Sequence, residues 1–232
     1  MKNKISTFPI HENENQNKNI WDADMDIYQN ADLIVQTTDK CNKGCPGCYL
    51  ANNSLLKNND LSFEKYNDCI SQLSEDKIIA LRGGEMTIMK DWFEKFVTPA
   101  LNKKLRIILE TNGYFMGTKE YQDVLEKISN PQIFTRISFD SMHLNGLDQD
   151  GIKSEFKKMS SFAADAENRK INFGFYSLGM DKNQIADFIK GTSLEAYSNK
   201  FHPLVEYDDI SAVHIKGKYL KANGDLSDRI ED

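Results

Sequence analysis

The stretch "DLIVQTTDKCNKGCPGCYL", residues 32–50, runs from a short apolar segment straight into three cysteines. Residues 32–38 have the length and β-branched content of a buried strand. Cys41, Cys45 and Cys48 then follow with the spacing C-x3-C-x2-C, and no fourth cysteine lies close in sequence. Gly44, Pro46 and Gly47 permit a tight wrap in which backbone N–H groups face sulfur. Lys40 and Lys43 favour the thiolate form. Three thiolates in so short a span suit a compact iron–sulfur cluster, which otherwise takes four, and leave one iron open to a non-protein ligand. A zinc site completed by a distant His11, His143, His202 or His214 is the alternative. A structural disulfide does not suit a reducing compartment.

The remaining composition fits a soluble domain. The 232 residues are 40% hydrophobic and 28% charged, with a net charge of −6. That balance argues against a broad nucleic-acid footprint. The first twenty residues contain no apolar signal core, and no apolar run approaches the roughly 20 residues of a membrane span. The expected location is cytoplasmic. Residues 1–30 are polar and Asn-rich, and are expected to form a flexible N-terminal arm, anchored through Trp21, Met25, Ile27 and Tyr28. Residues 31–207 form the expected core, and 208–232 a C-terminal extension.

Beyond the cysteines, strand and helix patterns alternate. Strands are expected at 77–83, 105–111, 132–140, 170–178 and 202–207. Helices are expected at 62–75, 90–102, 118–130, 151–169 and 182–191, with Pro99 disturbing the second and Cys69 packed as a structural thiol in the first. Such βα repetition predicts an α/β fold with a parallel sheet, either doubly wound or rolled into a barrel. In both, ligands gather at the C-terminal ends of the strands. Asn223-Gly224 in the extension is a hairpin-turn signal.

Polar and glycine residues recur at those strand ends. After the first strand comes the cysteine loop, and after the second Gly83, Gly84 and Glu85. Glu110, Thr111 and Asn112 end the third. Ser138, Asp140, Ser141 and His143 follow the fourth, and Tyr176, Ser177 and Gly179 the fifth. Arg82 and Arg136 border two of these ends, placed to hold a carboxylate or phosphate or to form ordinary salt bridges.

The C-x3-C-x2-C motif after the first strand, "GGE" after the second and "SFDS" at the end of the fourth together resemble the radical S-adenosylmethionine (radical SAM) enzymes. The resemblance spans about residues 31–207. It implies a partial (β/α)6 TIM-like barrel with parallel strands. It also implies a 4Fe–4S cluster on Cys41, Cys45 and Cys48, with S-adenosylmethionine chelating the open iron. An electron from flavodoxin or ferredoxin would cleave the sulfonium, and the 5′-deoxyadenosyl radical would abstract a substrate hydrogen. Gly83, Gly84 and Glu85 would meet the methionine amino group. Ser138 and Asp140 would contact ribose or carboxylate, and Thr111 and Asn112 would add polar contacts. Tyr176 and Tyr49 would lie near the adenine.

Two positions depart from the family pattern. Gly47 stands where an aromatic residue is usual, and Met86-Thr87 stand where a proline and a bulky apolar residue usually follow "GGE". The motifs assign no substrate-side catalytic residue. A ribosomally synthesised peptide is the first substrate class, because many short stand-alone members act in such pathways. A small metabolite or nucleoside is the second, and a glycyl-radical partner enzyme the third. A non-catalytic iron–sulfur or zinc protein is the reading from a different class.

Overall fold

A computed structural model describes residues 21, 27–45, 48, 59–139, 141–144, 146–177, 180–203 and 217–227. Its centre is a parallel sheet. The strands are β1 (Leu33–Gln36), β2 (Ile78–Arg82), β3 (Arg106–Thr111), β4 (Ile133–Ser138), β5 (Asn172–Ser177) and β6 (Phe201–Pro203). They lie side by side in chain order, each parallel to the next. A doubly wound sheet would reverse its order in the middle. This one winds in a single sense, as a partial TIM-like barrel does.

The free edge of β1 carries a hairpin. Strand β7 (Lys218–Leu220) pairs parallel to β1, and β8 (Leu226–Ser227) pairs antiparallel to β7. Between them Gly224 takes the positive φ that an Asn-Gly turn requires, with its N–H bonded to the Lys221 carbonyl at 2.8 Å. The Tyr219 hydroxyl donates to Gln36 Oε1 at 2.5 Å, fastening β7 to β1.

Helices lie where the apolar spacing puts them, with shorter bounds. They span Phe63–Ser71, Thr98–Asn102, Tyr121–Ile128, Gln149–Asn168 and Lys182–Ile189. Ser62 caps the first, accepting from the Lys65 N–H at 3.2 Å. Pro99 has no N–H for the Lys95 carbonyl, so the turn before it widens into a π-helix over Phe93–Val97. Cys69 is half-buried rather than buried, packed against the edge of the core. No helix among the described residues is long and apolar enough to cross a membrane.

Strand alternation divides the core in two. Val35, Leu81, Leu109, Ile137 and Phe175 face the helices, where Tyr66, Phe96 and Phe162 meet them. Ile34, Ala80, Ile108, Phe134 and Tyr219 face the inner side. Trp21 closes that inner layer. It is buried against Phe134 at 5.7 Å between ring centroids, and its Nε1–H donates to the Pro131 carbonyl at 3.1 Å. Arg106, at the start of β3, lies 6.0 Å from the ring. Ile27 is buried in the same cluster. Of the four expected anchors, Trp21 and Ile27 are buried here; Met25 lies outside the described residues, as do residues 1–20 and 22–26 as a whole.

Trp21→Ala should destabilise the fold by roughly 3–5 kcal/mol, the cost of emptying a large aromatic site. Trp21→Phe should lose only about 1–2 kcal/mol, because the ring contact survives and the Pro131 carbonyl loses one donor. Urea unfolding monitored by far-UV circular dichroism checks both values.

Candidate functional site

Two segments meet at the C-terminal end of the sheet. After β1 the chain continues through Thr37, Thr38, Asp39 and Lys40 to the first cysteine. After β2 it continues through Gly83 and Gly84 to Glu85. Between the two runs the Thr37 N–H bonds to the Arg82 carbonyl at 2.8 Å, the Gly84 N–H to Thr38 O at 2.7 Å and the Glu85 N–H to Lys40 O at 2.7 Å.

The double glycine has a steric cause. A Cβ on Gly84 would lie 1.9 Å from the Lys40 carbonyl oxygen, and one on Gly83 would lie 2.5 Å from that of Thr38. Gly83 also has a φ of +147°, closed to most L-residues. Backbone meets backbone here, so no side chain can move aside.

A second segment pins the other side of the lead-in to the cysteines. The Leu61 N–H donates to Thr37 O and the Asp39 N–H to Asn59 O, both at 2.9 Å. Thr38 Oγ1 donates to Asp60 at 2.7 Å. Asp39 accepts from the Asn59 side chain at 3.1 Å and from the Gln36 amide. Lys40 and Asp60 form an exposed ion pair at 2.6 Å.

Glu85 turns inward and is fully buried. One carboxylate oxygen accepts from the Thr87 N–H at 3.1 Å, the Thr87 hydroxyl at 2.6 Å and the Thr111 hydroxyl at 2.9 Å. The other accepts from the Asn112 N–H at 2.6 Å. Burial pushes its pKa above the ordinary range, and these four hydrogen bonds pull it back. Thr87, which departs from the family pattern, supplies two of the four donors. Met86, the other departure, buries its side chain as the chain enters a 3-10 turn over Met86–Ile88.

Asn112 links this centre to the cysteines. Its side-chain amide donates to Cys41 Sγ at 3.6 Å and to Asn42 Oδ1 at 3.0 Å. The Lys43 N–H also reaches Cys41 Sγ, at 3.4 Å. Partial burial raises the Cys41 thiol pKa, the Lys43 N–H lowers it, the charges of Glu85 and Cys48 raise it, and Asn112 lowers it. Cys41, Cys48 and Cys69 are free thiols. The Cys48 N–H bonds to the Cys45 carbonyl at 3.2 Å. Among the described residues no three His, Cys, Asp or Glu side chains already stand as a closed metal set. The donor chemistry nevertheless fits an iron–sulfur cluster: clustered cysteine thiols, the first of them with two N–H donors aimed at its sulfur.

The other expected site residues divide by face. Ser138 and Tyr176 stand side by side on the inner face, in register across β4 and β5. Ser138 is half-buried. Tyr176 is buried and stacked on His202 at 5.2 Å. Ser177 lies on the opposite face, toward the helices, buried with no hydrogen-bond partner for its hydroxyl among the described residues. That orientation removes it from the strand-end set, because neighbouring strand residues point to opposite sides. Thr111 also points away from the inner face and holds Glu85. Tyr49, Asp140 and Gly179 lie outside the described residues. The holding roles of Thr87, Asn59 and Asp60 had no signal in local sequence. Glu-x-Thr after two glycines is the nearest hint for Thr87.

No family profile and no curated protein matches the chain. Solved structures do. Native anSMEcpe with bound AdoMet and a peptide superposes with a TM-score of 0.54 at 19% identity, over 78% of this chain and 53% of that one. SuiB of Streptococcus suis bound to its precursor peptide SuiA gives 0.52 at 12% identity, over 86% and 59%. BtrN in complex with AdoMet and 2-DOIA gives 0.51 at 13% identity, over 84% and 72%. The chain thus shares their fold and spans little more than half the length of the first two.

Glu85→Ala should cost about 3 kcal/mol or more, because it strands four donors in a buried site. Lys40→Ala should cost less than about 1 kcal/mol, since its pair with Asp60 is exposed. Chemical denaturation of the two variants checks the contrast.

Proposed function

We propose that the chain is a radical SAM enzyme. Cys41, Cys45 and Cys48 would hold a 4Fe–4S cluster, and S-adenosylmethionine would bind at its open iron. The observation that carries this reading is the docking of Thr38 and Lys40, just before the first cysteine, onto the "GGE" turn at the C-terminal end of a partial barrel, with Asn112 bonded to Cys41 Sγ. Held by Cys41, Cys45 and Cys48, such a cluster would supply one-electron reduction of S-adenosylmethionine and so the means of hydrogen-atom abstraction from a substrate.

The chain's own residues have distinct tasks in this reading. Gly83 and Gly84 bring bare backbone to the cluster side and receive the methionine amino group. Glu85 and Thr111 fix those backbones in place and act by positioning. Asn112 supports the thiolate of Cys41. Ser138 would contact the cofactor's ribose or carboxylate from β4, and Tyr176 would bound the adenine side; Asp140 and Tyr49, to which the resemblance gives the same contacts, lie outside the described residues. The buried inner layer beneath excludes water from the reacting centre.

The substrate assigned to this reading is a ribosomally synthesised peptide. Structures of the same fold hold peptides in anSMEcpe and SuiB. A small metabolite is the second reading, favoured by the likeness to BtrN with 2-DOIA. Flavodoxin or ferredoxin would supply the electron.

Anaerobic reconstitution with iron and sulfide should give brown protein that releases 5′-deoxyadenosine when supplied with dithionite and S-adenosylmethionine. Cys41→Ala should lose both the colour and the cleavage. Bound zinc without cleavage would reject the reading. Deuterium passing from a labelled peptide into 5′-deoxyadenosine would establish the substrate class, and transfer only from a small molecule would replace it.

A further inference from the structure

The C-terminal hairpin reaches the cysteine segment through a chain of buried polar groups. Tyr219 of β7 pairs in register with Ile34 of β1, two positions before Gln36, and packs in the same inner layer as Ile34. Its hydroxyl donates to Gln36 Oε1 at 2.5 Å, and the Gln36 amide donates through Nε2 to Asp39 Oδ1. The other Asp39 oxygen accepts from the Asn59 N–H at 3.2 Å and from the Asn59 side-chain amide at 3.1 Å. Tyr219, Gln36 and Asp39 are all buried.

Chemistry fixes the direction of this chain. A carboxylate only accepts, so Asp39 takes the nitrogen end of the Gln36 amide. The oxygen end then needs a donor, and the Tyr219 hydroxyl supplies it. Turning the amide over would strand buried polar groups, which costs more than a hydrogen bond gains. Gln36 therefore keeps one orientation, and each bond in the series polarises the next.

Asp39 stands at a junction. It lies two residues before Cys41, and the chain between Lys40 and Asn59 carries all three clustered cysteines. The Asp39 N–H bonds to the Asn59 carbonyl at 2.9 Å. With the two bonds to its carboxylate, Asp39 and Asn59 join the start and the end of the cysteine-bearing segment by three hydrogen bonds. Joining the ends of a segment lowers the entropy still to be lost when its ligands close on a metal.

We propose that Tyr219, Gln36 and Asp39 are a positioning relay through which the C-terminal hairpin holds the cysteine-bearing segment ready for its cluster. The relay rests on the radical SAM reading for its purpose. Tyr219 acts through Gln36, and Gln36 acts through Asp39. The three are positioning residues, not catalytic ones.

The test uses the full chain, both metal-free and after anaerobic reconstitution with iron and sulfide. Hydrogen exchange read by mass spectrometry follows residues 37–41 and 59–61 in the metal-free chain. Iron captured by bathophenanthroline gives the rate of cluster loss from the reconstituted chain. Tyr219→Phe removes only the hydroxyl and should speed both processes several-fold. Gln36→Glu keeps the shape and the acceptor, removes the donor to Asp39, and should do the same. That second variant keeps the test decisive if Tyr219→Phe folds poorly. The double variant should be no faster than Gln36→Glu alone, because a single relay is broken only once. Tyr121→Phe removes the same group from a pair with Asp165 among the helices and should change neither rate. Wild-type rates in Tyr219→Phe and Gln36→Glu would overturn the relay. Additive effects in the double variant, or equal loosening in Tyr121→Phe, would also overturn it and leave general stability as the cause. A wild type that assembles no cluster would instead reject the radical SAM reading, and the exchange rates would still decide the relay.

Discussion

The close backbone approach of Gly83 and Gly84 to Thr38 and Lys40 is the constraint on which the site depends. It brings the cysteine segment and the end of β2 within hydrogen-bond distance. Nothing larger than glycine fits. Glu85 then ties the end of β2 to the end of β3 by drawing Thr87, Thr111 and Asn112 onto one buried carboxylate. A buried carboxylate without a cation is unfavourable in isolation. Here four donors offset that penalty, two from Thr87 just beyond β2 and two from Thr111 and Asn112 at the end of β3, so the carboxylate ties those two strand ends together.

From that junction downward, the inner face is layered. The mouth carries Cys41, Asn112 and Ser138. A polar row of Arg82, Glu110 and Arg136 lies below it. An apolar layer follows, closed by Trp21. Each level has a different physical task. The mouth presents sulfur and hydrogen-bonding groups, the middle row pairs Glu110 with two arginines, and the floor is apolar. The order follows from strand alternation and parallel register alone, since each inner residue is two positions above the last.

What was legible in the sequence was local. The apolar runs of β1 to β5, the Ser62 cap, the Asn223-Gly224 turn and the position of "GGE" all depend on neighbours in the chain. The cysteine spacing and strand ends also pointed to the fold that the solved structures share. The unread features depend on distant partners. Trp21 meets a carbonyl 110 residues away. Glu85 was expected to face a ligand, and only the placement of Thr111 and Asn112 reveals that its oxygens are already engaged. Tyr176 and Ser177 read as one patch until the pleat separates them onto two faces. The widened turn before Pro99 reflects a missing donor that spacing does not show.

The central claim is that the three-cysteine segment, docked on Gly83–Glu85, holds a cluster with one iron open to S-adenosylmethionine. Mössbauer spectroscopy of protein reconstituted with isotopically labelled iron tests it directly. Adding S-adenosylmethionine should shift a single iron site to the parameters of a higher-coordinate, N/O-ligated iron and leave the others unchanged. A spectrum indifferent to S-adenosylmethionine, or one without a cubane cluster, would contradict the account.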